Sequence, residues 1–205
     1  MKNRNLNSNH THPHNAFDNP EMFIEKFDGA EREEWQKPDE VIESFKLSDD
    51  AVVVEIGSGT GYFTVRLAEH IKNGKITAFD QSANMTAYLK NRVNKIGLDN
   101  VKAHTSAPDG NIALGEKADL IFSVDVYHHV QDRTSYFSKL ASLLKSEGKL
   151  IIIDRTEEKI KGQPSGHRVP AEKAKEEMKL AGFDFVENLD FLLPIQYYLI
   201  FKPTP

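Results

Sequence analysis

An alternation of apolar strands with amphipathic helices runs through the middle of this sequence and leaves few folds open. The pattern predicts strands at residues 51–56, 75–79, 101–104, 118–124 and 149–153. It predicts helices at residues 62–72, at 82–95 behind the N-cap Ser82, and at 134–144. Strands that alternate with helices form a mostly parallel sheet covered on both faces.

The C-terminal part of the sequence changes this pattern. A predicted helix at residues 170–180 is followed by two strands, 183–191 and 195–201, with a short turn at Leu193-Pro194 between them. A turn that short cannot contain a crossover helix, so the two strands must run antiparallel. The sequence therefore predicts an α/β fold, a doubly wound sheet with a C-terminal antiparallel hairpin.

The N-terminal part divides into a tail and a helical segment. Residues 1–16 are rich in Asn and His and contain almost nothing to bury, so we predict a disordered tail. Metal binding by His10, His12 and His14 is the alternative to a merely polar tail. Residues 17–46 have a helical pattern with apolar anchors, interrupted by Pro38, and we predict that they cap a single domain spanning residues 17–205.

Composition excludes several classes of function. The 205 residues include 26 Lys or Arg and 31 Asp or Glu, a net charge of −5, which argues against nucleic acid as the partner. Cysteine is absent, so thiolate metal sites, disulfides and cysteine nucleophiles are excluded. No apolar run reaches the roughly 18 residues of a membrane span, and no secretory signal is visible, so we expect a cytoplasmic protein.

The stretch VVVEIGSGTG, residues 52–61, is an apolar strand that ends in three closely spaced glycines. A dinucleotide fingerprint requires glycine or alanine at the sixth position of the turn, where this sequence has Tyr62. Glu55, two residues before the first glycine, would repel a pyrophosphate but attract an ammonium group. The turn therefore suits S-adenosylmethionine better than NAD.

Asp80 ends the next predicted strand, 23 positions after Gly57. A carboxylate at that strand end can accept hydrogen bonds from both ribose hydroxyls of an adenosine ligand. Since NAD enzymes use the same device, Asp80 indicates adenosine without choosing between the two cofactors.

The blocks EIGSGTG, DQSANM, SVDVYHHV and GKLIIID together resemble the class I S-adenosylmethionine-dependent methyltransferases, over residues 20–203. WQKP, YHH and HRVP resemble a bacterial subgroup of small methyltransferases. The resemblance implies a seven-stranded sheet with the last strand antiparallel, and a cofactor across the carboxyl ends of the strands.

The same resemblance implies roles for individual residues. The methionine portion of the cofactor would lie against Glu55, Gly57, Ser58, Gly59 and Gly61, and the ribose against Asp80. The adenine would be flanked by Gln81 and Met85 and met at its edge by Ser106 and Ala107. Many relatives have Asp where this sequence has Ala107, so backbone groups or Asp109 are the alternatives there. Val124 and Asp125 would lie beside the transferable methyl group.

Candidate catalytic residues follow the fourth strand of the alternation, at Asp125, Tyr127 and His128. Doubly wound sheets bind ligands at this side, and an imidazole can act as a general base. The alternative is that one histidine of the pair His128-His129 only orders the loop. Adjacent residues point apart and no third ligand is evident, so we predict no metal site.

The sequence gives only general indications of the molecule that would accept the methyl group. Arg155 and Arg168 are candidates for contacting an anionic substrate group, although Lys159, Lys161 and Arg168 also fit a solvated linker. Trp35 is expected either to close over the cofactor or to anchor its helix. No NPPY-type block is present, which argues against DNA adenine methylation.

The sequence thus predicts a methyltransferase that acts on a small organic molecule, with no membrane or nucleic-acid partner; it leaves the oligomeric state open. A non-catalytic cofactor-binding or regulatory protein on the same fold, and a nicotinamide-dependent oxidoreductase, are the alternatives.

Overall fold

The structure is a computed structural model and describes residues 19–157 and 168–205. Within these residues, one sheet contains strands β1 (Val52–Ile56), β2 (Lys75–Asp80), β3 (Val101–Thr105), β4 (Ala118–Val124), β5 (Leu144–Arg155), β6 (Phe183–Leu189) and β7 (Gln196–Pro203). The helices are α1 (Pro20–Asp28), α2 (Ala30–Gln36), α3 (Pro38–Ser44), α4 (Tyr62–His70), α5 (Ala83–Ile96), α6 (Arg133–Ala141) and α7 (Ala171–Leu180), with a short 3₁₀ helix at Tyr127–His129. The predicted tail lies outside the described residues.

The sheet has the strand order β3-β2-β1-β4-β5-β7-β6. Strands β1 to β5 pair in parallel, and β7 runs antiparallel to both β5 and β6. This arrangement confirms the predicted α/β sheet of seven strands with an antiparallel last strand. Its order reverses beside β1, so β1 and β4 leave a crevice at their carboxyl ends, the place where open α/β sheets bind ligands.

Two apolar cores cover the two faces of the sheet. One packs α3, α4 and α5 against side chains such as Val53 and Phe122, and the other packs α6 and α7 against side chains such as Val54 and Ile152. Neighbouring strand residues therefore alternate between cores, which is why the central strands read as continuous apolar runs. None of the described helices is long and apolar enough to cross a membrane.

Several element boundaries differ from the sequence prediction, and two of the differences have a clear physical cause. Helix α6 ends at Ala141 rather than at residue 144, because Leu144 is already paired with Ala118 in the sheet. Leu144 is buried and continues the apolar period of α6, so periodicity alone assigns it to the helix. The predicted N-terminal helix is also divided, since Gly29 adopts an extended conformation between α1 and α2.

Candidate cofactor and active site

Three glycines give the turn after β1 its shape. The backbone φ is +75° at Gly57, +52° at Gly59 and +87° at Gly61, a region that favours glycine. A Cβ at Gly57 would lie 2.2 Å from Val126, and one at Gly61 would lie 2.3 Å from Leu89. Packing within the protein therefore already requires glycine at the first and third positions.

Gly59 differs from its two neighbours in the turn. A Cβ there would meet only the ring of Phe27, at an ordinary distance of 3.7 Å. Its N–H donates to Asp80 Oδ2 at 2.8 Å, while the N–H groups of Gly57 and Ser58 donate to the carbonyl of Phe79 at 2.7 and 3.0 Å. The end of β2 therefore fixes the backbone of the turn.

Ser58 has a side-chain hydroxyl that the described residues leave without a hydrogen bond. Its hydroxyl is buried and has no hydrogen-bond partner among the described residues. A buried polar atom without a partner is costly, so this hydroxyl is suited to a polar ligand at the turn. The residues of the turn thus fit the amino-acid end of S-adenosylmethionine.

Glu55 lies behind the turn and is 4% exposed. Its carboxyl group accepts a hydrogen bond from Thr64 Oγ1 in α4. Burial raises the pKa of Glu55 to about 8, against the opposing effects of Thr64 and the positive charge of Arg32. The carboxyl group therefore carries a proton at neutral pH unless a further cation approaches it.

Asp80 links the turn to the start of α5. Its Oδ1 accepts the N–H of Ser82 at 2.8 Å, and its Oδ2 accepts the N–H of Gly59. Burial raises the pKa of Asp80, and these two hydrogen bonds act in the opposite direction. A carboxylate has about four lone-pair directions, so two remain for the ribose hydroxyls that the sequence analysis assigned to it.

The residues predicted to meet the adenine lie around the ends of β2 and β3. Ser106 donates its N–H to the carbonyl of Asp80 at 2.9 Å, which places the loop after β3 beside the end of β2. Gln81 and Ala107 are exposed, whereas Met85 is buried on the inner face of α5. Three of the four side chains are thus reachable from the strand ends.

Asp109, the alternative adenine contact, has other partners. It accepts the N–H of Asn111 at 3.1 Å and pairs with Lys139 Nζ at 3.1 Å. Both hydrogen bonds lower the pKa of its exposed carboxyl group.

Helices α1 and α2, which we call the cap (residues 20–36), close over the glycine turn. Asp28 Oδ1 accepts a hydrogen bond from Thr60 Oγ1 at 2.8 Å, and Asp28 Oδ2 pairs with Arg92 Nη1 at 2.6 Å. The same Arg92 nitrogen donates to the carbonyl of Thr60 at 3.0 Å. No residue of α1 is fully buried, so polar contacts contribute much of what holds this helix.

Trp35 in the cap lies over the guanidinium of Arg155, 5.8 Å from the ring centroid. It also lines a cavity of about 320 Å³, together with Phe191, Leu193 and Ile195 from the segment between β6 and β7. Trp35 therefore connects the cap to the ends of β5 and β7.

Asp125 follows β4 with a φ of +57°, unusual for a residue with a side chain. Its carboxylate accepts hydrogen bonds from Arg155 Nε at 3.2 Å and Gln196 Nε2 at 2.8 Å. Gln36 of the cap in turn donates to Gln196 Oε1 at 2.8 Å, and both glutamines are fully buried. Beside them Val124 is 7% exposed. A polar chain thus connects the cap to the end of β4.

His128 and Asp154 form a second polar pair at the same edge. His128 Nδ1 lies 2.7 Å from Asp154 Oδ1, and the N–H of His128 donates to Asp154 Oδ2 at 2.8 Å. Asp154 is 1% exposed and also accepts the N–H of Arg155 at 2.7 Å. A carboxylate only accepts, so Nδ1 carries the hydrogen and Nε2 is left as the acceptor. His129, by contrast, is exposed, and its ring lies 4.0 Å from that of His128.

Sequence reasoning missed Asp154, and a signal was available. It directly follows the apolar run of β5, as Asp80 follows that of β2. What the sequence does not show is that the 3₁₀ helix after β4 turns His128 toward β5.

Tyr127 lies on the other side of this 3₁₀ helix. It is fully buried, and its hydroxyl donates to Glu177 Oε2 at 2.5 Å. Arg133 Nε donates to the same oxygen at 2.6 Å and Arg133 Nη2 to Oε1 at 2.9 Å. Tyr127 thus faces α6 and α7 rather than the strand-end edge, which suits it to hold the loop that carries His128.

The predicted linker after β5 is described only at its ends. Arg168 Nη1 donates to the carbonyl of Thr156 at 2.6 Å, so it lies beside the end of β5. Lys159, Lys161, Gly166 and His167 lie outside the described residues.

Comparison with known proteins agrees with this geometry. Residues 54–150 match the protein-family model described as a methyltransferase domain. An S-adenosylmethionine-dependent methyltransferase from Aquifex aeolicus is 25% identical, with a TM-score of 0.81 over 89% of this chain and 97% of that protein. The likeness therefore extends over nearly the whole described fold.

Two curated relatives are similar over shorter stretches. N-methyltransferase 4 of Papaver somniferum is 24% identical over 54% of this chain, and malonyl-[acyl-carrier protein] O-methyltransferase of Acetivibrio thermocellus is 29% identical over 48%. The chain spans about a third of the length of these relatives, 32% and 33% respectively.

In its fold, its glycine turn and these matches, the chain resembles the class I S-adenosylmethionine-dependent methyltransferases. S-adenosylmethionine is accordingly its cofactor.

Proposed function

We propose that the protein transfers the methyl group of S-adenosylmethionine to a hydroxyl or amine of a small organic acceptor, with His128 as general base. The observation that supports this most is the contact of 2.7 Å between His128 Nδ1 and the buried Asp154. An imidazole held in this way presents one defined acceptor nitrogen, Nε2, beside the end of β4.

The roles of the residues follow from their chemistry. The bound cofactor would supply an electrophilic methyl group on a positively charged sulfur, whose bond to the methyl carbon breaks in the transfer so that S-adenosylhomocysteine leaves as a neutral thioether. His128 Nε2 accepts the proton of the acceptor hydroxyl or amine as its oxygen or nitrogen bonds to the methyl carbon. Asp154 then stabilises the positive imidazolium through Nδ1–H, and the proton afterwards passes to solvent. Asp125, fixed by Arg155 and Gln196, shapes the wall beside the methyl group.

Two similarities bear on the acceptor atom. One curated relative is named for methylation of nitrogen and the other for methylation of oxygen. A hydroxyl, or an amine that carries hydrogen, loses a proton when it is methylated. A general base serves either, so the proposal covers both.

The test combines an acceptor screen with variants of the pair. The protein is incubated with methyl-labelled S-adenosylmethionine and a library of small hydroxyl and amine compounds, and label transfer is measured. His128→Gln should lower turnover at least about a hundredfold, since general bases contribute about 10²–10⁴. Asp154→Asn should also lower it strongly, because it changes the tautomer of His128.

Binding measurements and a matched histidine make this test specific. Both variants should bind S-adenosylhomocysteine within about threefold of the wild-type affinity, and His129→Gln should keep turnover near wild type. Full turnover in His128→Gln contradicts the base assignment. Cofactor binding without any label transfer favours a non-catalytic protein, and stabilisation by NAD alone favours an oxidoreductase.

A further inference from the structure

Arg32 of the cap lies over the start of α4, where the glycine turn enters that helix. Its guanidinium carbon is 4.1 Å from the ring centroid of Tyr62 and 5.8 Å from that of Phe63. Nη1 donates to the carbonyl of Phe27 at 2.6 Å, and Nε donates to Gln36 Oε1. The guanidinium is therefore held in one place by the cap itself.

This guanidinium has no anionic partner of its own. Among the described residues, Arg32 forms no ion pair, and its Nη2 has no hydrogen-bond partner. Burial lowers the pKa of Arg32, and the negative charge of Asp125 is the largest opposing influence. Holding a partly buried cation with unused donors is costly, so the site is suited to an anion that brings its own oxygens.

The other arginines around the turn each have a carboxylate. These pairs are Arg92 with Asp28 at 2.6 Å, Arg66 with Glu33 at 2.5 Å and Arg155 with Asp125 at 3.2 Å. Within the described part of the chain, Arg32 is thus the arginine near the turn whose guanidinium is not paired with a carboxylate.

The amino-acid end of S-adenosylmethionine carries both charges, an ammonium and a carboxylate. Glu55, the acidic group behind the turn, suits the ammonium group. The carboxylate instead requires a cationic donor, and a guanidinium supplies one with two parallel N–H groups. The guanidinium lies over Tyr62, the residue that follows Gly61, and it is near enough to Glu55 for the two charges to interact. Arg32 therefore lies beside the glycine turn.

We propose that Arg32 binds the carboxylate of the cofactor's amino-acid end, so that the cap as well as the sheet recognises the cofactor. This inference rests on the proposed function, because it requires that S-adenosylmethionine binds at the glycine turn. It assigns Arg32 a role in selecting cofactors with an intact amino-acid group.

The test compares S-adenosylhomocysteine with its decarboxylated form by calorimetry. The wild type should bind the carboxylate form at least about tenfold more tightly, since hydrogen bonds between two charged groups are stronger than those between neutral groups. In Arg32→Gln this preference should shrink to about threefold or less, through lost affinity for S-adenosylhomocysteine alone. Arg32→Lys should keep part of the preference, because it retains the charge but not the paired donors.

Arg66→Gln is the matched control. Arg66 lies over the same Tyr62 ring, also at 4.1 Å, but is paired with Glu33. It should keep the wild-type preference, and thermal unfolding should show that all variants are folded. An unchanged preference in Arg32→Gln, or a wild type that does not distinguish the two compounds, overturns the inference alone. A wild type that binds neither compound overturns the proposed function as well.

Discussion

Glu55 is buried in an environment that disfavours the ionised form of its carboxyl group. Burial raises its pKa to about 8, so at neutral pH the group is mostly protonated without a ligand. An ammonium group beside it would stabilise the ionised form and expel the proton. We therefore expect cofactor binding and proton release to be coupled at this residue.

The coupling predicts a pH dependence of affinity. Because the proton must leave Glu55 on binding, affinity for S-adenosylhomocysteine should rise between pH 6 and 7.5, by up to about thirtyfold. Calorimetry in buffers of different ionisation enthalpy should detect close to one released proton. Glu55→Gln should flatten the dependence, and a flat profile in the wild type would contradict the coupling.

The glycines of the turn differ in role, since some are required by packing within the protein and Gly59 is expected to be required by the cofactor. Substitutions should distinguish these roles. Gly59→Ala meets no clash and should cost about 1–2 kcal/mol of stability for its left-handed backbone. We nevertheless expect it to weaken S-adenosylhomocysteine binding at least about tenfold, because its Cβ would take up space between the turn and the ring of Phe27, where we expect the amino-acid end of the cofactor. Titration of the folded variant measures this, and wild-type affinity would mean that Gly59 serves chain geometry alone.

Gly57→Ala provides the contrast in the same turn. A Cβ there lies 2.2 Å from Val126, so denaturant unfolding should show a larger loss of stability than in Gly59→Ala. Similar losses in the two variants would contradict this division of roles.

At the scale of elements, Glu177 joins α7 to α6 and to the 3₁₀ helix after β4. Burial alone would raise the pKa of Glu177, but hydrogen bonds from Arg133 and Tyr127 lower it below its ordinary value of 4.5. A lowered folded-state pKa means that this stabilisation is present above about pH 4.5 and is lost as the solution becomes more acid.

Removal of this carboxylate should destabilise the protein. Glu177→Ala leaves Arg133 and Tyr127 without their partner, so we expect a loss of about 2–4 kcal/mol in the free energy of unfolding. Urea unfolding at pH 7 measures it. Glu176→Ala is the control, since Glu176 is exposed and pairs with Lys173, likewise on the surface of α7, at 3.7 Å. Equal losses in the two variants would contradict the role of Glu177.

Elements with local signals were predictable from the sequence. The helix ended by Gly97 and the strand Ala118–Val124 are examples, because capping and periodicity depend on adjacent residues. Gly57, Glu55 and Asp80 were also within reach, since each is placed by one strand end. The position of Asp154 at a strand end was also within reach, but its pairing with His128 and the position of Arg32 were not, because both depend on how distant loops and the cap pack against the sheet.

At the scale of the whole molecule, the parallel strands bring their carboxyl ends to one edge. Glu55, Asp80 and Asp154 lie within the last two residues of β1, β2 and β5, and Asp125 directly follows β4. The three aspartates give this edge an acidic character, to which Glu55 adds only when it is ionised. The acidic edge suits a cofactor that carries a sulfonium and an ammonium group, while Arg32 and Arg155 balance part of its charge.

The position of β7 has a consequence for how the protein is made. β7 is the latest described strand in the chain, yet it lies between β5 and β6. During synthesis on the ribosome, β6 therefore has no neighbouring strand to pair with until residues 196–203 have emerged, and only then can the sheet be completed. Gln196 arrives with that strand, so the nascent chain completes its sheet and fixes Asp125 in the same late event.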